Sequence, residues 1–580
     1  MTSRSDMTTL LKLHGDAIVE IIPVPDDIHL ILVVTQRGLL YIYDAQFDHY
    51  YKMGDLTDSV SDMATDWRED YEAETVDVDP YKSEPDPDDS MDEMFGSSIN
   101  ARAGYQRGLN DDYDERGILS AAFDPRDGDH PRALFITRTM DMAEYAGTGY
   151  YRPDTTYDPR YDHYLVVESY PLKYGPVRTR GGERSQEPPL LIEDMMSIDV
   201  DEDPLQWMAI PHASRIHNGM RILFDPVPTA LDATKAVLFV AVGDEGIRRG
   251  DPILSNMKAQ DYRKLHGKIL RIDVSVFMND MRDPDNPRNM EPNPPLDGYL
   301  YHYQIPEDNP YAKELDLDHM RRQHRRLGRE AKTIQERKRV AELWEYMYSI
   351  RPEIWAAGIR NVSGMDIHPL TYEQIIARRK GKRSTSPSTK PGSPLETILV
   401  VGHVGHHDQE GVFVLLGGEN LGWPYRENGM HQSYKLWKSD IKKLTNGRVK
   451  TLNPALAYSH TKLDKFGSAI IGGVVFDRDG YICGDFGRGD ALESSSKKKK
   501  PHKGQLMITR LTEYDFRNNL SVGQSNVTTI HLDDYVKCIG RNWDGTEVYV
   551  GIAELPGPLG FTSLVRVEDV TNLAALTCEE

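Results

Sequence analysis

Apolar residues along this chain come in short runs, each closed by Gly, Asp or Pro. Such a pattern predicts strands and turns more than helices. Residues 28–34 and 38–43 read as a hairpin around Thr35-Gln36-Arg37. Further strands are expected at 133–138, 163–170, 236–242, 268–274, 397–401, 411–416, 468–476, 481–485, 506–511 and 547–552. Many short strands with turn residues between them point to an all-β sandwich, barrel or propeller. The length of 580 residues favours a propeller, which grows by adding blades around an axis. No crisp internal repeat is visible, so the blades cannot be counted from the sequence.

Several segments break the strand pattern. Residues 77–93 are rich in Asp, Glu and Pro and read as a solvated loop. Residues 316–350 form the one long helical candidate, with Met320, Leu327, Ile334, Val340 and Leu343 at roughly helical spacing among Arg and Glu. A surface cover packed on one blade is preferred there to a nucleic-acid helix. Residues 378–394 and the Lys run at 494–503 read as basic loops. The propeller is therefore placed at 28–554, with insertions at about 60–112, 311–350, 377–395 and 492–504. Residues 1–27 are set apart as an N-terminal segment and 555–580 as a tail.

Composition narrows the partners. Acidic residues outnumber basic ones, 91 to 69, for a formal charge of −22, which argues against general nucleic-acid or anionic-membrane binding. Three cysteines, Cys483, Cys538 and Cys578, fit neither a disulfide framework nor a metal motif and read as buried or incidental thiols. No signal-peptide pattern opens the chain and no apolar run is long enough to span a bilayer. An intracellular or virion-associated location is expected over secretion. The sequons beginning at Asn361, Asn519 and Asn526 then read as chance matches.

Candidate chemistry lies in separated stretches. The richest runs from His217-Asn218-Gly219 through Val242-Gly243-Asp244-Glu245-Gly246 and Ala259-Gln260 to His266-Gly267-Lys268-Ile269-Leu270-Arg271-Ile272-Asp273. The others are Glu115-Arg116-Gly117-Ile118-Leu119, Asp308-Asn309-Pro310, Arg351-Pro352-Glu353-Ile354-Trp355, Gly358-Ile359-Arg360-Asn361, Gly418-Glu419-Asn420-Leu421-Gly422-Trp423-Pro424 and Gly484-Asp485-Phe486. No nucleotide-binding glycine loop, nucleophile elbow or zinc-protease motif accompanies them.

In this order the motifs resemble those of the glucose/sorbosone dehydrogenase family, which includes soluble quinoprotein sugar dehydrogenases and the propeller of hedgehog-interacting proteins. The resemblance covers about 28–554 and implies a six-bladed β-propeller. It implies pyrroloquinoline quinone at the mouth of the central channel, a calcium ion beside it and a His base that takes the alcohol proton as hydride leaves. On these motifs His217 matches the base, Asp244 the carboxylate that orients it, and Arg271 a quinone contact. Gly405 and His406 match two backbone carbonyls that bind calcium. Lys537 matches one of two basic residues of the last blade, the other being replaced by Tyr535. Gly411, Val412 and Phe413 stand where the family has an acidic residue, an apolar one and Asn to support the calcium loop. Residues 418–424 read as blade architecture with no catalytic role.

Bland alternatives stay open for each residue: a channel-lining His217, an ordinary turn at Asp244, an Arg271 paired with an acid. The imidazoles of His403, His406 and His407 could instead hold a transition metal, or the loop could bind nothing. Two functions follow. One is a sugar (aldose) dehydrogenase using pyrroloquinoline quinone and calcium. The other is a catalytically silent propeller that binds a protein partner, for instance within a virus particle or another large assembly.

Overall fold

A computed structural model of the chain describes residues 7–14, 16–57, 115–128, 130–141, 163–181, 191–199, 202–214, 216–246, 257–275, 300–312, 350–379, 395–406, 408–431, 450–459, 469–476, 479–487, 504–521, 526–554 and 561–567, with a few single positions between 326 and 338. Residues 77–93, nearly all of 316–350, most of 378–394, 494–503 and Cys578 lie outside them.

Six small antiparallel sheets form the blades of a propeller, with the short Arg426–Glu427 and Met430–His431 hairpin beside them. Their innermost strands are Ile18–Pro23, Ile118–Phe123, Gly219–Asp225, Val362–Ile367, Ile470–Phe476 and Tyr535–Arg541, for blades 1 to 6. Each innermost strand touches the next, and that of blade 6 returns to that of blade 1, so the ring is closed. Blade 3, which carries much of the candidate chemistry, continues outward through Val237–Val242, Lys268–Asp273 and Ile354–Ala357, then takes Glu419–Asn420 in parallel. Blade 4 continues through Leu399–His403, Gln409–Leu415 and Leu456–Ser459.

The reason for the ring is legible in the side chains. Strands such as Val237–Val242, Leu399–His403 and Gly480–Asp485 are buried at every position, because each blade is covered on both faces by its neighbours. Six apolar clusters result, one in each blade–blade contact. Each fully buried Val, Leu, Ile or Phe there contributes about 1.5–3 kcal/mol. Polar groups lace the inner strands as well. Arg221 of blade 3 reaches Glu20 of blade 1 at 2.6 Å and the Leu119 carbonyl of blade 2 at 3.0 Å. Arg541 of blade 6 pairs with Asp366 of blade 4 at 3.0 Å.

The blades extend past the 28–554 limits read from sequence. Met7–His14 pairs antiparallel with Phe561–Val567, from Met7 opposite Val567 to His14 opposite Phe561. The N-terminal strand thus completes the last blade, and Ile18–Pro23 opens the first. Non-local pairing of this kind leaves no mark in a local pattern. Many elements were also missed, among them five of the six innermost strands, Ile18–Pro23, Ile118–Phe123, Gly219–Asp225, Val362–Ile367 and Tyr535–Arg541, the helix Pro369–Arg379 after blade 4's inner strand, and the long reach of the strand His163–Arg178. Cys483 and Cys538 are buried and free, as expected, and burial pushes both thiols far above their ordinary pKa. Asn361 is also buried. No helix among the described residues is long and apolar enough to cross a membrane.

Candidate active site

His217 ends the segment that leads into the inner strand of blade 3, and its backbone is left-handed at φ 59°. Such a conformation costs a residue with a Cβ roughly 1 kcal/mol and persists only where its surroundings hold it. Here the neighbouring strand does so: a Cβ on Gly243 would stand 1.6 Å from the His217 carbonyl oxygen, so only glycine lets the two backbones meet. Glu115, from the first motif, accepts the Asn218 amide at 3.1 Å. The Asn218 side-chain oxygen lies 3.1 Å from His163 Nε2.

Held this way, His217 Nδ1 donates to Asp244 Oδ1 at 2.7 Å. Asp244 is fully buried, and its remaining contacts fix it. Oδ1 also accepts the Gly246 amide at 2.9 Å, Oδ2 accepts the Trp423 indole N–H at 2.6 Å, and the Asp244 amide donates to the Arg360 carbonyl at 2.8 Å. Burial alone would raise the Asp244 pKa. His217, the Arg360 charge and the Gly246 amide outweigh it and hold the carboxyl below its ordinary range. Beneath the pair, Lys268 is fully buried, with Nζ on the carbonyls of Lys258 and His266 at 2.8 Å each. Burial pushes its ammonium down to about 7 against the pull of Asp261 and Asp244.

Trp423 reaches Asp244 because its loop is locked in place. Gln260 and Asn420 exchange side-chain hydrogen bonds at 3.1 and 2.9 Å, and the Asn420 oxygen also accepts the Gly422 amide at 2.8 Å. The Glu419 carboxylate takes the Leu416 and Gly417 amides. Residues 418–424 are therefore more than blade architecture: they deliver the indole that anchors the carboxylate. Arg360 was also missed. Its guanidinium lies 5.7 Å from the Trp423 ring centre, and its Nε is buried with no hydrogen-bond partner. Beside it the Asn361 side-chain oxygen is buried and equally unpartnered. The Gly-Ile-Arg-Asn motif was the available signal for both.

The loop expected to hold calcium follows the strand Leu399–His403 and lies against the same indole, the His406 and Trp423 rings being 5.7 Å apart. Its support comes from two buried carboxylates. Glu410 accepts the Gly405 amide at 2.9 Å, and Glu427 accepts the amides of His406, Asp408 and Gln409 at 2.6, 2.8 and 3.1 Å. Glu410 stands one position before Gly411, Val412 and Phe413, the residues matched to the loop's supporting positions. In a trans peptide the C=O points opposite the N–H. With the His406 amide on Glu427, the Gly405 carbonyl is directed away from that carboxylate. A transition metal on this loop is disfavoured by His403, whose Nδ1 lies 2.6 Å from the Asn428 oxygen while Nε2 accepts the Arg360 amide at 2.8 Å. His407 lies outside the described residues.

Arg271 is elsewhere. It bonds Asp225 at 2.9 Å, Asp308 at 2.7 Å and Asn309 at 3.0 Å. Asp225 is the last residue of the inner strand that His217 precedes, so about 20 Å of strand separates the two ends. The motifs therefore sort into two groups: Glu115, His217, Asp244, Gln260, Arg360, Asn420 and Trp423 at one face, and Arg271, Asp308, Asn309, Pro352 and Glu353 toward the other. Asn309 completes the second group by donating to the carbonyls of Arg271 and Pro352. Arg271, expected as a quinone contact, thus lies toward the opposite end of the blade from His217, because motif order does not tell which end of a strand a residue occupies. Lys537 lies near the start of blade 6's inner strand, its ammonium 4.9 Å from the Phe486 ring centre.

The residues present suit a planar anionic ligand. Arg360 has an unpartnered buried Nε–H close to the His–Asp pair, and the Gly405 carbonyl is the kind of oxygen a hard cation takes.

No family model matches the chain. HIPL1 protein of Arabidopsis thaliana is 24% identical over 281 residues, which is 48% of this chain, and the match spans only 28% of that relative. Among solved structures, a glucose dehydrogenase-type oxidoreductase of Thermus thermophilus is 15% identical, with 97% of this chain and 98% of that one covered at a TM-score of 0.43. The PQQ-bound aldose sugar dehydrogenase of Streptomyces coelicolor is 13% identical, with 97% of each chain covered at 0.42. The soluble aldose sugar dehydrogenase of Escherichia coli, solved in its apo form, is 13% identical, with 97% and 98% covered at 0.43. Likeness at this level says nothing of chemistry, which rests on the chain's own side chains. The chain is a six-bladed β-propeller similar to soluble aldose sugar dehydrogenases and, over about half its length, to HIPL1 protein.

Proposed function

We propose that the protein is a quinoprotein-like aldose dehydrogenase, with His217 as the base. The observation that carries this reading is the 2.7 Å bond from His217 Nδ1 to an Asp244 carboxylate that Trp423 and Gly246 immobilise. With Nδ1 donating, Nε2 is the nitrogen that can take a proton from a sugar hydroxyl. Asp244 then stabilises the imidazolium that forms. When bound, pyrroloquinoline quinone supplies the hydride acceptor that no side chain provides, and calcium supplies Lewis acidity. Arg360 and Lys537 would hold the quinone's carboxylates, and the Gly405 and His406 carbonyls the calcium. The test is titration of the purified protein with the quinone, with and without calcium, followed by dye reduction on a panel of aldoses. Calcium-dependent binding and turnover, with turnover lost in His217→Ala, support the reading.

A second reading, a catalytically silent propeller that docks a partner or sits in a larger assembly, draws on two observations. Arg271 is committed to Asp225 and Asp308, and Tyr535, at a position where the resemblance implies a cation, is buried. Absence of quinone binding under all calcium conditions would favour it.

A further inference from the structure

Beside the proposed active site lies a second cluster that the dehydrogenase reading does not use. His212 ends the fourth strand of blade 2, Glu245 follows Asp244 in blade 3, and His266 precedes the strand Lys268–Asp273. One ligand atom from each lies within 4.8 Å of the others, and all three residues are buried. We propose that His212, Glu245 and His266 form a site for one divalent first-row transition ion, zinc by preference, that staples blade 2 to blade 3.

Four observations support it. First, His212 Nδ1 is buried without a hydrogen-bond partner, while its Nε2 lies 3.3 Å from the Ile216 carbonyl. A backbone carbonyl on one ring nitrogen, with a lone pair on the other, is the usual arrangement behind a metal-bound imidazole. Second, Glu245 Oε1 lies 2.8 Å from His266 Nε2, a nitrogen that also lies 3.0 Å from the Pro211 carbonyl. The atoms converge as ligands around a shared point would, while Lys258 neutralises the other carboxylate oxygen. Third, Glu245 is left-handed at φ 72°, which turns its side chain to His266 while that of Asp244 meets His217. Fourth, the imidazoles of His212 and His266 stack at 5.6 Å, with His163 a further 5.2 Å from His212. These rings and the Glu245 carboxylate, already paired with Lys258, lie together between blades 2 and 3.

Two nitrogens and one carboxylate oxygen suit zinc, cobalt or ferrous iron better than calcium, which takes oxygen ligands. The buried position between blades and the absence of a role in proton transfer point to a structural ion. By fixing the turn at Glu245 it would also fix the adjacent Asp244.

The test uses the full chain without a metal-binding tag, stripped with a chelator and titrated with Zn2+ and with Co2+ in excess Ca2+. Uptake is read by elemental analysis, by cobalt absorption and by the thermal midpoint. One equivalent of zinc, visible cobalt bands of a four- or five-coordinate nitrogen-ligated ion, and a midpoint raised by a few degrees are expected. Glu245→Gln and His212→Ala, checked for native circular dichroism, should each weaken uptake roughly tenfold or more. If a variant does not fold, the wild-type cobalt spectrum decides, and an octahedral, water-like spectrum overturns the proposal. Absence of stoichiometric uptake by the wild type, or uptake unchanged in both folded variants, also overturns it. None of these readouts depends on quinone or sugar.

Discussion

Gly243→Ala is the sharpest probe of how the fold positions its base. The added methyl would lie 1.6 Å from the His217 carbonyl oxygen, 2.5 Å from its carbonyl carbon and 3.3 Å from its Cα. Real Cβ atoms are essentially never found closer than 3.0 Å, so relief requires roughly 1.4 Å of movement between two backbones. Because the contacts are main chain, no rotamer change can absorb it. The 2.7 Å hydrogen bond to Asp244 cannot survive a shift of that size, since hydrogen bonds weaken steeply beyond about 3.2 Å. Misplacing a catalytic group by about 1 Å costs on the order of 100-fold in rate, near 2.7 kcal/mol in the barrier. Overpacking adds about 1–3 kcal/mol of lost stability. Dye-coupled turnover with quinone and calcium should therefore fall about 100-fold, and the thermal midpoint should drop. The midpoint reports the clash whether or not the right sugar is in hand. A Gly243→Ala protein with both wild-type midpoint and wild-type turnover would refute the claim that this close approach sets His217.

The other predictions concern charge and support. Asp244→Asn should cut turnover by about 10²–10⁴ by removing the charge that orients and stabilises the imidazole. Because the Asp244 pKa is depressed on folding, its contribution to stability is present above the ordinary carboxylate range and is lost as pH falls through the lower folded value. Urea melts of wild type and Asp244→Asn should accordingly converge on acidification below about pH 4. Arg271→Met should cost about 3–5 kcal/mol, seen in denaturant melts, because Asp225 would stay buried without its partner. Arg360→Ala should instead weaken quinone binding about tenfold or more in an absorbance titration, with little change in stability. Glu427→Ala, which strands three loop amides, should abolish the calcium dependence of quinone binding, as followed by the same titration at varied calcium.

What the sequence pointed to by itself was the class of the fold and His217 with Asp244 as a candidate pair. Short apolar runs closed by turn residues place most of the strands they predict to within two or three residues, because burial between blades demands apolar side chains there, yet they leave five of the six innermost strands unread. His217 and Asp244 stand in motifs whose spacing a strand hairpin converts directly into contact, Gly219 pairing with Val242 just beyond them. Other features depended on the tertiary structure. A motif's order along the chain does not say at which end of a strand a side chain emerges, so the sequence did not reveal that Arg271 and His217 lie toward opposite ends of blade 3. Nor does local pattern disclose pairing across hundreds of residues, such as Met7–His14 on Phe561–Val567, Trp423 on Asp244, or His212 beside Glu245 and His266. Those meetings are set by ring closure and by the packing of one blade on the next.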